Sequence, residues 1–390
     1  MSEQTQVTGK ARTTSPSHTS SADATSTRWM AFTTLRSLVS VALASCAAAV
    51  VVMPATAKAS FGNATILAPF PADPGFPEGV AVRDGKVYAA GAATFGTTGA
   101  GPSAVLVYDR ATGVQKARYD VVGENLLSEH ANSSVALDGD GRLYVLNTQL
   151  GVYRLKGHGQ QQPYSPPFPD LKPCAPPLVN PPCSPTVIDA PPLPNDIAFA
   201  PNGDAYVSDS MQATIWRIPK GGGAAKIWYQ DSRFASPYIG TNGLRLNPTG
   251  TRIYLTVSID NLGAASVYSL PLVNNPVAGQ LALFHRFAAG ELPDGIAFGA
   301  TGKLYVAMAS PLGAGVMILN TDGTVAARLT NPQGSLDQPY DGPANIAFDG
   351  AGRILMTNHA PVTGLLTKKF SIVDTDVQDT GAPLCTPMID

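Results

Sequence analysis

Charge is scarce in this sequence. Only 14% of the 390 residues are Asp, Glu, Lys or Arg, and the formal net charge is −2. No Lys/Arg cluster is long enough to form a nucleic-acid face, which excludes nucleic acid as a partner. Cysteine is rarer still. Four are present with no C-x-x-C pair, which argues against a zinc site. No Gly-x-Ser-x-Gly elbow, P-loop or dinucleotide fingerprint occurs, so the common serine-hydrolase and nucleotide chemistries have no footing here. What is plentiful is punctuation. The 38 Gly and 34 Pro act as turn chemistry between strands, and the length suffices for one large all-β domain.

The first 59 residues stand apart as a leader. Residues 1–28 are Ser/Thr-rich and polar with no apolar period, and are expected to be disordered. Arg28 and Arg36 then flank the start of an apolar run from Leu38 to Met53, followed by Ala55-Thr56-Ala57 and Ala57-Lys58-Ala59. Positive charge, apolar stretch and small-x-small make a secretory signal cleaved near Ala57 or Ala59, with Met30 an alternative start. The expected destination is the periplasm or the exterior, with no membrane span in the mature form. The alternatives are a lipoprotein anchored through Cys46, in Leu43-Ala44-Ser45-Cys46, and an uncleaved membrane anchor. Export permits disulfides, and Cys174 and Cys183 bracket a short Pro-rich loop as the expected pair. Cys385 is left over.

From residue 60 to 390 one phrase recurs six times, roughly every 50 residues. An apolar triplet, a Gly-bearing turn and a second apolar strand appear as GVAVRDGKVYAAG from Gly79, SVALDGDGRLYVLN from Ser134 and DIAFAPNGDAYVSDS from Asp196. They return as GLRLNPTGTRIYLTVS from Gly243, GIAFGATGKLYVAMAS from Gly295 and NIAFDGAGRILMTNHA from Asn345. The pattern predicts an all-β, six-bladed β-propeller of four-stranded antiparallel blades. Further strands are legible at Ala104–Tyr108, Thr214–Ile218, Ser266–Leu270 and Gly315–Leu319. Segments around Ile66 and around Phe370–Asp374 are expected to close the ring. The longest interval holds a Pro-rich insertion, residues 159–194, read either as a pocket wall or as a solvated loop.

One residue precedes each phrase: Glu78, Ser133, Asn195, Asn242, Asp294 and Ala344. The inner strand of each propeller blade lines the central channel, so these lead residues should ring one mouth. Glu78, Asn195, Asn242 and Asp294 then offer two carboxylates and two amide oxygens. That set suits a hard divalent cation, calcium before magnesium, because calcium accepts neutral carbonyl ligands and irregular geometry.

In Pro77-Glu78-Gly79, Asn195-Asp196, Asn242-Gly243 and Asp294-Gly295 the chain resembles the senescence-marker-protein/gluconolactonase/luciferin-regenerating-enzyme family, over about residues 61–381. The resemblance implies a divalent metal at the channel mouth held by Glu78, Asn195, Asn242 and Asp294. It also implies hydrolysis of a lactone or related ester, with Asp294 doubling as the proton-accepting or nucleophilic carboxylate. One departure bears on substrate. Where sugar lactonases tend to carry an Arg before the Asn-Asp motif, this chain has Pro191-Pro192-Leu193-Pro194, which favours a more apolar lactone or ester.

Near the same mouth, His130 and His359 are candidate general bases. Asp196, Asp209 and Asn132 are candidate substrate or ligand-supporting contacts. The alternative reading is a non-catalytic ligand-binding propeller that retains a structural metal, and a strictosidine-synthase-like condensing propeller is a third. A monomer is assumed.

Overall fold

The computed structural model describes residues 60–93, 96–174, 182–186, 188–311, 313–335, 338–360 and 370–387. The leader, the signal and Cys46 lie outside the described residues. Everything described belongs to the compact unit Ala57–Asp390.

Among the described residues, twenty-four strands form six sheets of four, each wholly antiparallel. The fold is a six-bladed β-propeller. Each repeated phrase supplies the inner two strands of a blade. In the first blade these are Pro77–Arg83 and Lys86–Gly91, joined through Asp84 and Gly85. Both turn residues have positive φ, 49° and 70°, which is the two-residue hairpin that an Asp-Gly pair specifies. The ring closes where Ala64–Pro69 pairs antiparallel with Ser371–Asp376, completing the sixth blade from both ends of the chain. Phe70 N–H extends that pairing by donating to Phe370 O at 2.8 Å. Both closure segments are the expected ones.

The apolar core is not one mass but six wedges, one between each pair of neighbouring blades. Ala198, Ile215 and Trp228 of the third blade pack on Leu244, Leu255 and Tyr268 of the fourth, and comparable clusters fill the other five junctions. Tyr144, Tyr254 and Tyr305, on the second strands of the second, fourth and fifth blades, meet Phe199, Phe298 and Phe348 of the next inner strands, each edge-on at 5.0 Å between centroids. The tyrosines at this position are therefore inter-blade packing.

The outermost strands were the least legible. Gln115–Asp120 and Val325–Thr330 are largely exposed and carry little alternation. Gln161–Ser165, at the start of the Pro-rich segment, is the outer strand of the second blade, so residues assigned to no blade begin after it. Phe168 and Leu171 pack this segment onto the second and third blades, and Cys174 is bonded to Cys183 with Cα atoms 5.2 Å apart. Cys385 is free. Among the described residues no helix is long and apolar enough to cross a membrane.

Ring closure also rests on charge. Arg110, just after the third strand of the first blade, reaches two carboxylates of the sixth. Its Nη2 lies 2.6 Å from Asp349 Oδ2 and its Nη1 3.0 Å from Asp374 Oδ2. Both carboxylates are nearly buried. Removing the guanidinium leaves Asp349 uncompensated, so Arg110→Ala is expected to cost about 3 kcal/mol. A urea midpoint that does not move would contradict that assignment; a drop with unchanged slope supports it.

Candidate metal centre at the channel mouth

In every blade the lead residue sits in a β-bulge. Between the pairs Pro77↔Gly91 and Val80↔Ala89, Glu78 and Gly79 together oppose Ala90. The same two-against-one register holds at Asn195–Asp196, Asn242–Gly243, Asp294–Gly295 and Ala344–Asn345, and Ser133 is the extra residue of the second blade. A bulge re-aims a side chain and leaves backbone groups outside the ladder, which is why bulges gather at sites. Glycine follows three of the leads for a second reason. A Cβ at Gly79, Gly243 or Gly295 would lie 2.5–2.6 Å from backbone of the next blade.

The bulges bring the predicted set together. Glu78, Asn195, Asn242 and Asp294 line one cavity of about 330 Å³ at the channel mouth. His359 and Ser133 share it, and Ala344 does not line it. Most of the remaining wall is apolar: Phe76, Leu193, Ile239, Ile259 and Leu292. Glu78, Asn242 and Asp294 are all buried.

The electrostatics follow from placing acids there. Burial pushes the Asp294 carboxyl well above the ordinary carboxylate range, and the charges of Glu78 and Asp196 push the same way. N–H donors of Gly295 and of the Asn242 amide only partly offset this. The Asn242 amide nitrogen also donates to Ser258 Oγ at 3.0 Å. Its oxygen, Oδ1, is buried with no hydrogen-bond partner among the described residues. A native protein rarely leaves such an acceptor unmade without a reason.

This tests the fit to a cation. The donor set is all oxygen, the charge of Glu78 stands close enough to raise the proton affinity of Asp294, and a buried amide oxygen has no partner among the described residues. The residues fit a hard divalent ion. Among the described residues no three His, Cys, Asp or Glu side chains gather as a metal cluster, so the two amides are essential to the set.

The other site candidates are placed differently. His130 is fully buried outside the cavity, with Nδ1 2.9 Å from Ser128 O and Nε2 2.9 Å from Gly101 O. Both ring nitrogens are engaged by backbone, so it is not available as a base. His359 does reach the cavity, but its Nε2 is hydrogen-bonded to Glu78 Oε2. That contact ties the ring to the carboxyl group, so His359 is placed to orient Glu78. Asn132 begins the inner strand of the second blade and is buried outside the cavity, its Oδ1 accepting from Asn147 Nδ2 at 2.9 Å. Asp209 is buried and structural. Its carboxylate accepts from Trp216 Nε1, Gln212 Nε2 and the N–H of Leu193, each at 3.0 Å. It touches the site only by fixing Leu193, the residue of the Pro-rich segment that lines the cavity.

Asp196 lies below the cavity, in the channel itself. It accepts from Ser134 Oγ at 2.7 Å and Leu244 N–H at 2.9 Å, and pairs with Arg245 Nη1. Arg245 Nη2 continues to Asn345 Oδ1 at 3.1 Å. Ser134, Asp196 and Asn345 are the three post-lead residues that are not glycine. They and Arg245 form a polar plug spanning four blades.

Residues 189–358 match the family model described as the SMP-30/Gluconolactonase/LRE-like region. Over this segment the chain is similar to that family. The matched segment contains Asn195, Asn242 and Asp294, and Glu78 precedes it. No curated protein matches the chain. Among solved structures, a calcium-binding protein, regucalcin, from Agrobacterium tumefaciens superposes with TM-score 0.54 at 15% identity, covering 81% of this chain and 94% of its own. A gluconolactonase from Xanthomonas campestris gives 0.52 at 15%, covering 77% and 86%. The PQQ-bound aldose sugar dehydrogenase of Streptomyces coelicolor gives 0.53 at 14%, covering 80% and 98%. At such identities the likeness shows the propeller alone, and the third neighbour shows that one ring serves different chemistries.

Proposed function

We propose that this SMP-30/gluconolactonase/LRE-like propeller is an exported hydrolase of an apolar lactone or related ester, working with a divalent cation, calcium first. One observation carries the reading: four lead residues from separate blades line one cavity, and the buried oxygen of one of them, Asn242, has no partner among the described residues. Glu78, Asn195, Asn242 and Asp294 would hold the ion. When bound, such an ion supplies Lewis-acid polarisation of the substrate carbonyl.

The chain's own residues do the rest. Phe76, Leu193, Ile239, Ile259 and Leu292 take up the apolar body of the substrate and exclude water around the ester. The Asn242 amide is held by Ser258 and by Asp294, which leaves its buried oxygen without a partner among the described residues. His359 fixes one oxygen of Glu78. Asp294 accepts the proton of the attacking water at its carboxylate, within a wall that offers no other free base among the described residues. The apolar lining supports an apolar substrate over a sugar lactone, in keeping with Leu193 and its flanking prolines in place of an Arg. Export is supported by the signal-like leader and by the Cys174–Cys183 bond.

The purified protein assayed on a panel of lactones and aryl esters should show turnover that a chelator removes and calcium restores. Apolar lactones should be preferred over gluconolactone. No turnover by wild type would overturn the hydrolytic reading in favour of a binding propeller, and chelator-insensitive turnover would overturn its dependence on a metal.

A further inference from the structure

Three second strands place a buried hydroxyl directly opposite the bulge of their own blade. Ser208 Oγ accepts the N–H of Asp196 at 3.1 Å and donates to the carbonyl of Asn242, the lead residue of the next blade, at 2.5 Å. Thr357 Oγ1 accepts the N–H of Asn345 at 3.3 Å and donates to the carbonyl of Glu78 across the ring closure. Thr256 Oγ1 donates to the carbonyl of Asp294 at 2.8 Å. All three hydroxyl residues are fully buried.

The ring contains its own control. The residues facing the bulge in the first and fifth blades are Ala90 and Ala307. The lead residues that follow them are Ser133 and Ala344, the two leads outside the proposed ligand set. Blade-to-blade packing thus forms without a hydroxyl at that position. The hydroxyl appears where the next lead is a candidate ligand. Asn195, whose preceding blade has Leu146 there, is held one residue earlier, by Ser133 Oγ donating to Pro194 O at 2.6 Å.

We propose that Ser208, Thr256 and Thr357 are positioning residues for the cation site, an inference that rests on the metal reading above. A bulged residue has lost its ladder bonds, so its own ladder does not fix its carbonyl. A hydroxyl from the neighbouring blade pins that carbonyl. It thereby sets the spacing of Glu78, Asn242 and Asp294 around the mouth. Groups that orient metal ligands without touching the ion change affinity by about 10–100-fold when removed.

The test uses the full chain and calcium alone, with the dissociation constant measured by calorimetry and the melting temperature measured in chelator. Thr256→Val removes the hydroxyl at constant shape and should weaken calcium about tenfold, whereas Thr256→Ser keeps the bond and should stay within about twofold of wild type. Ser208→Ala gives an independent reading through Asn242 if Thr256→Val folds poorly. Thr214→Val deletes another buried hydroxyl, one bonded to Gln212 O at 2.7 Å, and should lower the melting point without changing calcium affinity. Equal affinities in wild type, Thr256→Val and Ser208→Ala, with wild type binding calcium, overturn the inference alone. No calcium binding by wild type overturns the metal reading and the inference together.

Discussion

Replacing Asp294 with Asn should raise the melting temperature of the metal-free protein near neutral pH while cutting hydrolysis by about 10²–10⁴-fold. The two effects share one cause. Asp294 is buried beside Glu78 and within reach of the Asp196 charge, and all three circumstances oppose its ionisation. In the folded, metal-free protein its carboxyl is raised above the ordinary carboxylate value near pH 4. Between that value and the raised one, the folded state holds a proton that the unfolded chain has released. Stability of the wild type therefore falls as pH rises through this window. The advantage of Asp294→Asn should appear above about pH 4 and vanish below it, where both states are protonated. With calcium present the order should reverse, because ligand binding to the native state favours the wild type. A variant no more stable than wild type in chelator at neutral pH would show that the acids are not mutually strained. Undiminished turnover would remove Asp294 from the chemistry.

The second large effect is expected one layer below. Asp196→Asn leaves the Arg245 guanidinium, whose side chain is 13% exposed, without its carboxylate. Breaking a buried pair from one side costs about 3–5 kcal/mol, since the surviving charge stays desolvated. Here the carboxylate also takes donors from Ser134 and Leu244, so three blades lose a common anchor. The double change Asp196→Asn with Arg245→Met should recover much of the loss, because the orphaned charge leaves as well. Additive destabilisation in the double variant would mean that the two side chains are uncoupled and that the plug holds nothing together. Asp196 is held by Ser134, Leu244 and Arg245 outside the cavity lining, and its charge still reaches Asp294.

These assignments show what the sequence could and could not disclose. Blade number, the inner two strands and the closure strands were legible, because the phrase repeats and its triplets alternate. The outer strands Gln115–Asp120 and Val325–Thr330 were not, because an exposed strand need not alternate. The convergence of Glu78, Asn195, Asn242 and Asp294 on one cavity was readable from their common position ahead of the phrase. His130 and Asn132 do not line the cavity, because nearness in sequence to a lead residue does not fix the direction of a side chain; both are fully buried elsewhere. The hydroxyls of Ser208, Thr256 and Thr357 were missed, although a signal existed. Aligning the second strands sets Ser, Thr and Thr against Ala90 and Ala307. Only the bulge, an irregularity invisible in the pattern, gives that column its meaning.

The central claim is that one cation is held by lead residues of four blades. A crystal structure of the protein soaked in calcium tests it most directly. The account predicts a single ion in the mouth cavity, with oxygens of Glu78, Asn195, Asn242 and Asp294 at about 2.3–2.6 Å. Asn242 Oδ1, the unpartnered atom, should be among them. An empty cavity at millimolar calcium, or an ion bound elsewhere with Asn242 Oδ1 left alone, would contradict it.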